Sequence, residues 1–314
     1  MAETSKTPVA LLTGFLGSGK TTLLAHLLLD PALGETAVIV NELGAISIDH
    51  HLLRRVDERT VLLGNGCVCC TLRGDLTDEL LDLHGKRQRG EVPPFRRVIV
   101  ETTGLADPAP ILYTLASESV VKNHFELDRV IATVDAVNGL REPESLRQAA
   151  AADRLIVTKT DLRDGAALSR RLVRLNPTAE VMEASFGEVS VAQLFGGEAF
   201  PREFPARSES HRHGDVQAHA LVFAEPLDWT AFGVWLTMLL AARGTDVLRV
   251  KGLLNVGGDG PLLLNGVQHV VHPPVHLDAW PDDDRSSRIV FIGRGFERRS
   301  LEESLAAFVR AARQ

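Results

Sequence analysis

The sequence predicts an α/β domain built on a mostly parallel sheet, followed by a smaller α+β domain. Three observations carry this. Short, continuously apolar β-rich runs recur through the first part of the chain, each ending in a glycine or polar turn, as strands buried on both faces do. Residues 201–216 then break the pattern with Pro201, Pro205, Ser208, Ser210, His211, His213 and Gly214. Beyond them the runs alternate in polarity and are framed by two helical segments, an order that suggests an α+β sandwich. The length of 314 residues agrees with about two domains. The predicted bounds are 1–205 for the first domain, 206–216 for a linker and 217–314 for the second.

The first element pair is the most informative. Val9 to Leu12 reads as a strand and Leu23 to Leu29 as a helix, and between them lies Gly14-Phe15-Leu16-Gly17-Ser18-Gly19-Lys20-Thr21-Thr22. This fits the phosphate-binding loop G-x-x-x-x-G-K-[ST]. Gly14, Gly17 and Gly19 let the backbone turn and approach a polyphosphate. Amides of the loop, Ser18 and Thr22 included, form an anion cradle with the positive end of the helix. Lys20 supplies a point charge to the terminal phosphates, and the Thr21 hydroxyl can ligate Mg²⁺.

Ala37 to Val40 is the next strand. It leads to Asn41-Glu42-Leu43-Gly44 and the alternating Ile46 to Asp49, a loop in the place of a switch segment, with Glu42 and Asp49 as its carboxylates. Thr60 to Leu63 is a strand ending in Gly64-Asn65-Gly66-Cys67-Val68-Cys69-Cys70, and Thr71 opens a helix to about His84, with Leu72, Leu76, Leu80 and Leu83 on its apolar face. All three cysteines of the chain fall within four residues. That is no disulfide framework. At a strand-to-helix turn the dipole favours thiolates, and three thiolates plus one further ligand satisfy tetrahedral Zn²⁺, with Co²⁺ fitting the same geometry.

Arg97 to Val100 is a buried strand followed by Glu101-Thr102-Thr103-Gly104. An acidic residue at a strand tip with glycine three later is where a phosphate-loop enzyme holds Mg²⁺ and senses the γ-phosphate, so Glu101 joins Lys20 as a catalytic candidate. Val130 to Val134 is a strand ending in Asp135. Leu155 to Val157 ends in Thr158-Lys159-Thr160-Asp161, which resembles the guanine-reading tetrad Asn-Lys-x-Asp of GTPases. Asp161 would accept from the guanine N1–H and exocyclic amine, and the Lys159 stem would pack on the base. Thr158 stands in place of Asn, so one polar contact is shortened or lost. Glu180 to Met182 is a last short strand before Ala184-Ser185, near the base edge.

In the second part, Ala218, Ala220 and Val222 alternate as a strand, and Trp229 to Ala242 is helical with Phe232, Trp235, Leu236 and Leu239 on one face. Strands follow at 247–255, 262–264, 268–276 and 288–292, and a helix at 297–310 with Leu301, Leu305 and Phe308. His211 and His213 are read as part of a solvated linker. His269, His272 and His276 are read as structural or interface residues on an alternating strand.

In this order and spacing, GFLGSGKTT, VNELG, GNGCVCCTLRGDL, ETTGLADPAP and TKTD together resemble the CobW-like GTPases, relatives of the nickel-insertion GTPases of hydrogenase and urease. LRVKGLLNV, GVQHV and SRIVFIGR resemble that family's C-terminal domain. The resemblance covers nearly the whole chain. It implies a P-loop GTPase domain and a GTP-hydrolysing metallochaperone that holds zinc or cobalt at Cys67, Cys69 and Cys70, with Glu42 as a further ligand, and delivers it to a client protein. Two positions depart from the family pattern: Thr158 for Asn, and Ala45 where many members carry a second loop carboxylate. A non-catalytic zinc buffer with nucleotide-tuned affinity and a P-loop ATPase or kinase are the alternative readings. With no arginine finger evident in cis, intrinsic turnover on the order of 10⁻⁴ to 10⁻² s⁻¹ is expected.

The net charge of −7 gives no basic field for nucleic acid. No apolar run reaches the roughly 18 residues of a membrane span, and the first apolar run holds the phosphate loop rather than a signal peptide. A cytoplasmic protein is expected, and the oligomeric state stays open.

Overall fold

The computed structural model describes residues 6–40, 61–64, 73–197, 211–213 and 216–312. The chain divides into two compact units, Met1–Leu172 with Ala179–Phe200 and Val173–Thr178 with Pro201–Gln314.

The first unit is a doubly wound parallel sheet. Its strands are β1 (Thr7–Gly14), β2 (Thr36–Val40), β3 (Val61–Gly64), β4 (Arg97–Glu101), β5 (Phe125–Asp135), β6 (Arg154–Thr158) and β7 (Glu180–Glu183). They lie in the order β3-β2-β4-β1-β5-β6-β7, all parallel. β1 and β6 are buried almost without interruption, because helices cover both faces of a parallel sheet. The helices are α1 (Lys20–Leu27), α2 (Arg73–Arg89), α3 (Pro108–Ser117), α4 (Val121–His124), α5 (Pro143–Ala151), α6 (Ala166–Leu175) and α7 (Val191–Phe195). One core joins Leu23, Leu24 and Leu27 of α1 to Leu12, Val38, Ile99, Ile131 and Ile156 of the sheet. Leu76, Leu80 and Leu83 of α2 are buried, as their spacing predicts. Helices α3, α5 and α6 supply crossovers that the sequence reading left without assignment. Two of them have a local reason: Asp107 caps α3 through the Ala109 N–H, and proline at the first turn suits both α3 and α5.

The second unit is an antiparallel sheet under two helices. Its strands are β8 (His211–His213), β9 (Val216–Phe223), β10 (Val247–Leu254), β11 (Leu262–Val267), β12 (Val270–Val271), β13 (Val275–His276) and β14 (Ser287–Arg294), in the order β12-β11-β10-β14-β9-β8 with β13 on β11. Helices α8 (Trp229–Arg243) and α9 (Arg298–Ala312) pack Phe232, Trp235, Leu236, Leu301 and Leu305 on Leu221, Val250, Leu254, Ile289 and Phe291. Trp235 Nε1 donates to Ser304 Oγ at 2.9 Å, tying the helices together.

Two expectations change here. His211–His213 is a strand pairing with β9 rather than linker. The strand expected over 268–276 is broken in two. Gln268, at φ 51°, turns the chain in a tight hairpin, with Val267 paired to Val270, and Pro273 and Pro274 cannot donate to a ladder. The three histidines therefore do not line one strand face. His269 sits in the turn and His276 is exposed on β13.

Candidate functional site

The sheet order places the C-terminal ends of β2, β4, β1, β5 and β6 side by side, and those ends carry the sequence-predicted residues. Leu12 pairs with Glu101, Gly14 with Thr133, Asp135 with Thr158, and Val40 with both Glu101 and Gly64. Open α/β sheets bind ligands beyond these ends.

The phosphate loop leaves β1 at Gly14, whose φ is 142°. A Cβ there would lie 2.2 Å from Thr133 Oγ1, so only glycine fits. Ser18 N–H donates to the Phe15 carbonyl at 3.0 Å to close the loop. Gly19, at φ 92°, opens α1. Lys20, nearly buried, folds its ammonium back over the loop, donating to the Gly14 carbonyl at 2.9 Å and that of Phe15 at 3.2 Å. Thr21 Oγ1 donates to Glu101 Oε1 at 2.7 Å, and Glu101 is 1 % exposed. A hydroxyl and a carboxylate in contact beside the loop are the hard oxygen donors that Mg²⁺ takes. The Thr103 hydroxyl, two residues on, is buried with no hydrogen-bond partner, a polar group that a bound phosphate or ion shell would satisfy. The residues present fit both groups.

The base-side loops are tied to the phosphate loop. The Thr158 hydroxyl donates to the Ser18 carbonyl at 2.7 Å, and Ser18 Oγ meets Thr133 Oγ1 at 2.6 Å. Thr158 therefore spends its hydroxyl on the loop rather than leaving a shortened contact toward a base. Lys159 takes a left-handed conformation, φ 59°, and donates to Asp135 Oδ2 at 2.5 Å. Burial works against the Asp135 carboxylate, but the Lys159 ammonium, the Val137 N–H and the Asn138 amide outweigh it and hold its pKa below the ordinary carboxylate value. Asp161 lies exposed in the turn that follows. Thr160 Oγ1 and Ser185 Oγ, 2.8 Å apart, join that turn to the loop after β7. Gly187, at φ 81°, closes on the first turn of α1 at exposed Thr22.

The structure thus brings together Gly14, Gly17, Ser18, Gly19, Lys20, Thr21, Thr22, Glu101, Thr158, Lys159 and Asp161 on one edge. Glu42, Asp49, Cys67, Cys69 and Cys70 lie outside the described residues. Among the described residues no group of three His, Cys, Asp or Glu side chains could hold a metal ion. Sequence reasoning gave no role to Thr133, Asp135 or Gln148. An Asp ending a strand, followed three residues later by Asn, was the available signal for Asp135; the other two carry none.

Strand, glycine loop and helix, with a buried acid beside the loop threonine, define a P-loop nucleotide-binding protein. The profile of the CobW/HypB/UreG nucleotide-binding domain matches residues 8–183, and that of the cobalamin synthesis protein cobW C-terminal domain matches residues 216–309. The chain belongs to the CobW/HypB/UreG family. It is 36 % identical over 298 residues to the zinc chaperone YjiA of Escherichia coli, covering 91 % of this chain and 93 % of that one. It is 27 % identical over 349 residues to the zinc-regulated GTPase metalloprotein activator 1 of Schizosaccharomyces pombe, covering 93 % and 83 %. The crystal structure of the Zn(II)-bound YjiA GTPase from E. coli superposes with a TM-score of 0.74 at 30 % identity, covering 97 % of this chain and 99 % of that one. No helix among the described residues is long and apolar enough to cross a membrane.

Proposed function

We propose that this protein is a GTP-hydrolysing zinc chaperone that holds Zn²⁺ at Cys67, Cys69 and Cys70 and releases it to a client metalloprotein under nucleotide control. The observation that carries this reading is the shared sheet edge. Val40 pairs with Gly64 on one side and Glu101 on the other. Glu42 lies two residues beyond Val40 and Cys67 three beyond Gly64, and such lengths of chain span at most about 7 and 11 Å. Gly64, from which the chain runs on to the cysteines, and Glu101, which touches the phosphate-loop threonine, thus end strands on either side of β2 at the same edge of the sheet, which supports placing the metal near the nucleotide. The names of the relatives, zinc chaperone and zinc-regulated GTPase, support the same metal and nucleotide.

On this reading the glycine-loop amides and Lys20 bind and orient the triphosphate, Thr21 and Glu101 hold the cation, and Asp161 selects guanine. Mg²⁺ bound there would neutralise charge developing on the β- and γ-phosphate oxygens. Lys159 and Thr158 keep the base and phosphate loops in fixed relation. Glu42 and the thiolates are the zinc ligands, and a change in the loop over 41–49 with nucleotide alters how they close on the ion. Coupling of this kind is reciprocal.

The test is a competition titration of Zn²⁺ with and without a non-hydrolysable GTP analogue, alongside Co²⁺. A nucleotide-dependent Zn²⁺ affinity that disappears in a Cys67→Ser, Cys69→Ser, Cys70→Ser variant is expected. Equal Zn²⁺ affinity in both states would sink the proposal. Single-turnover hydrolysis at stoichiometric metal separates the chaperone from a passive buffer.

A further inference from the structure

Helix α5 carries a glutamine in a buried stretch otherwise made of alanines, Gln148-Ala149-Ala150-Ala151. Gln148 is 1 % exposed. A buried primary amide is costly unless hydrogen-bonded, and this one is bonded in a particular way. Its Nε2 donates to the carbonyl of Gly104 at 3.1 Å and to that of Ala106 at 3.0 Å. Its Oε1 is buried with no hydrogen-bond partner. The opposite amide assignment would set an oxygen against two carbonyl oxygens, so the orientation is fixed. A methionine or leucine would fill the volume without stranding an acceptor; the two donated bonds are what the amide adds.

The turn it grips is the one that follows Glu101. Ala106 N–H donates to the Thr103 carbonyl at 3.1 Å, placing Gly104 and Leu105 at the corner. The corner is pressed on the phosphate loop: a Cβ on Gly104 would lie 2.4 Å from the Leu16 nitrogen. Because the peptide is planar and trans, holding the Gly104 carbonyl toward Gln148 turns the Leu105 N–H to the opposite side. The neighbouring Arg147, bonded to Glu144 Oε1 at 2.8 Å, also sets its charge near the other end of the segment, with Nε 3.6 Å from Asp107 Oδ2, the carboxylate that caps α3. Helix α5 itself packs on β1, β5 and α3, a rigid frame.

We infer that Gln148 is a positioning residue for the turn at Gly104 to Ala106, setting its orientation against the phosphate loop and thereby the discrimination between GTP and GDP at this site. The inference rests on the nucleotide reading above. A γ-phosphate that engages this turn shifts it with or against the amide, and GDP does not reach it. Removing the two donors changes the affinity for one nucleotide and leaves the other alone.

The experiment uses the full chain with Gln148→Met, which keeps the shape and loses both donors, and Arg147→Met, which loosens the Asp107 end from a less buried position. Calorimetry measures the dissociation constants of GDP and of a non-hydrolysable GTP analogue with Mg²⁺, and thermal melting measures folding separately. A change of about tenfold in the GTP-to-GDP affinity ratio of Gln148→Met is expected, with GDP affinity within about twofold of the parent. A smaller change in the same sense is expected for Arg147→Met, which carries the test if Gln148→Met does not fold. An unchanged ratio in folded variants overturns the inference and leaves Gln148 a packing residue. A parent protein that binds neither nucleotide overturns the nucleotide reading instead.

Discussion

Thr158 shows how one side chain can hold two loops in register. Its hydroxyl lies 2.7 Å from the Ser18 carbonyl, and the next residue, Lys159, is locked to Asp135. Thr158→Val keeps the shape and strands that carbonyl. It is expected to cost about 1–2 kcal/mol of stability, read as a lower melting temperature, and to weaken GTP binding, while Thr158→Ser preserves both. Asp161 is exposed, and as the proposed guanine reader it would contribute only with a base in place. A site that bonds a substrate group rejects analogues lacking it strongly, so Asp161→Ala is expected to lower the preference for GTP over ATP by roughly two orders of magnitude, measured by competition binding. Lys20→Ala is expected to abolish turnover; hydrolysis surviving that change would refute the phosphate-loop assignment.

At the scale of elements, the junction of β1 with the phosphate loop leaves no room for a side chain. Gly14 sits where a Cβ would meet Thr133 Oγ1 at 2.2 Å and the Thr133 carbonyl at 2.6 Å, in a conformation that disfavours side chains. Gly14→Ala must push β5 away from β1 or reshape the loop. A loss of about 2–4 kcal/mol is expected, seen in chemical denaturation, with nucleotide binding lost in parallel. Gly17→Ala makes the contrast. Nothing lies within 4 Å of a Cβ there, and only its φ of 68° resists substitution, so the cost is expected to be about 1 kcal/mol.

At the scale of the whole molecule, an imidazole in each unit has its pKa lowered by the fold. His84 stacks on His124 with ring centroids 4.0 Å apart, and burial, His124 and Arg87 all push its pKa down from 6.5. His219 is 3 % exposed in β9; burial, aided by Arg298, lowers its pKa against an opposing bond to the Phe296 backbone. Both groups are less basic folded than unfolded. The unfolded chain therefore takes up protons first, so stability is full above the ordinary histidine value and declines as pH falls through it. Melting temperatures followed from pH 8 to 5 are expected to drop, and His219→Asn is expected to flatten that slope in the second unit.

The sequence alone determined the α/β plus α+β architecture and set the glycine loop, Glu101 and residues 158–161 at the ends of strands, because each is local: a strand, a turn and the residues that follow lie within a few positions of one another. It also marked Cys67, Cys69 and Cys70 by their clustering. It misplaced the strand over 268–276, because the left-handed turn at Gln268 depends on which strands pair. Only the tertiary structure decided what Thr158, Thr133, Asp135 and Gln148 do. Thr133 meets Ser18 across 115 residues and Thr158 bonds it across 140, while Gln148 grips a turn more than 40 residues away. Their partners are set by the order in which parallel strands assemble, and no periodicity or spacing along the chain encodes a hydrogen bond between crossovers.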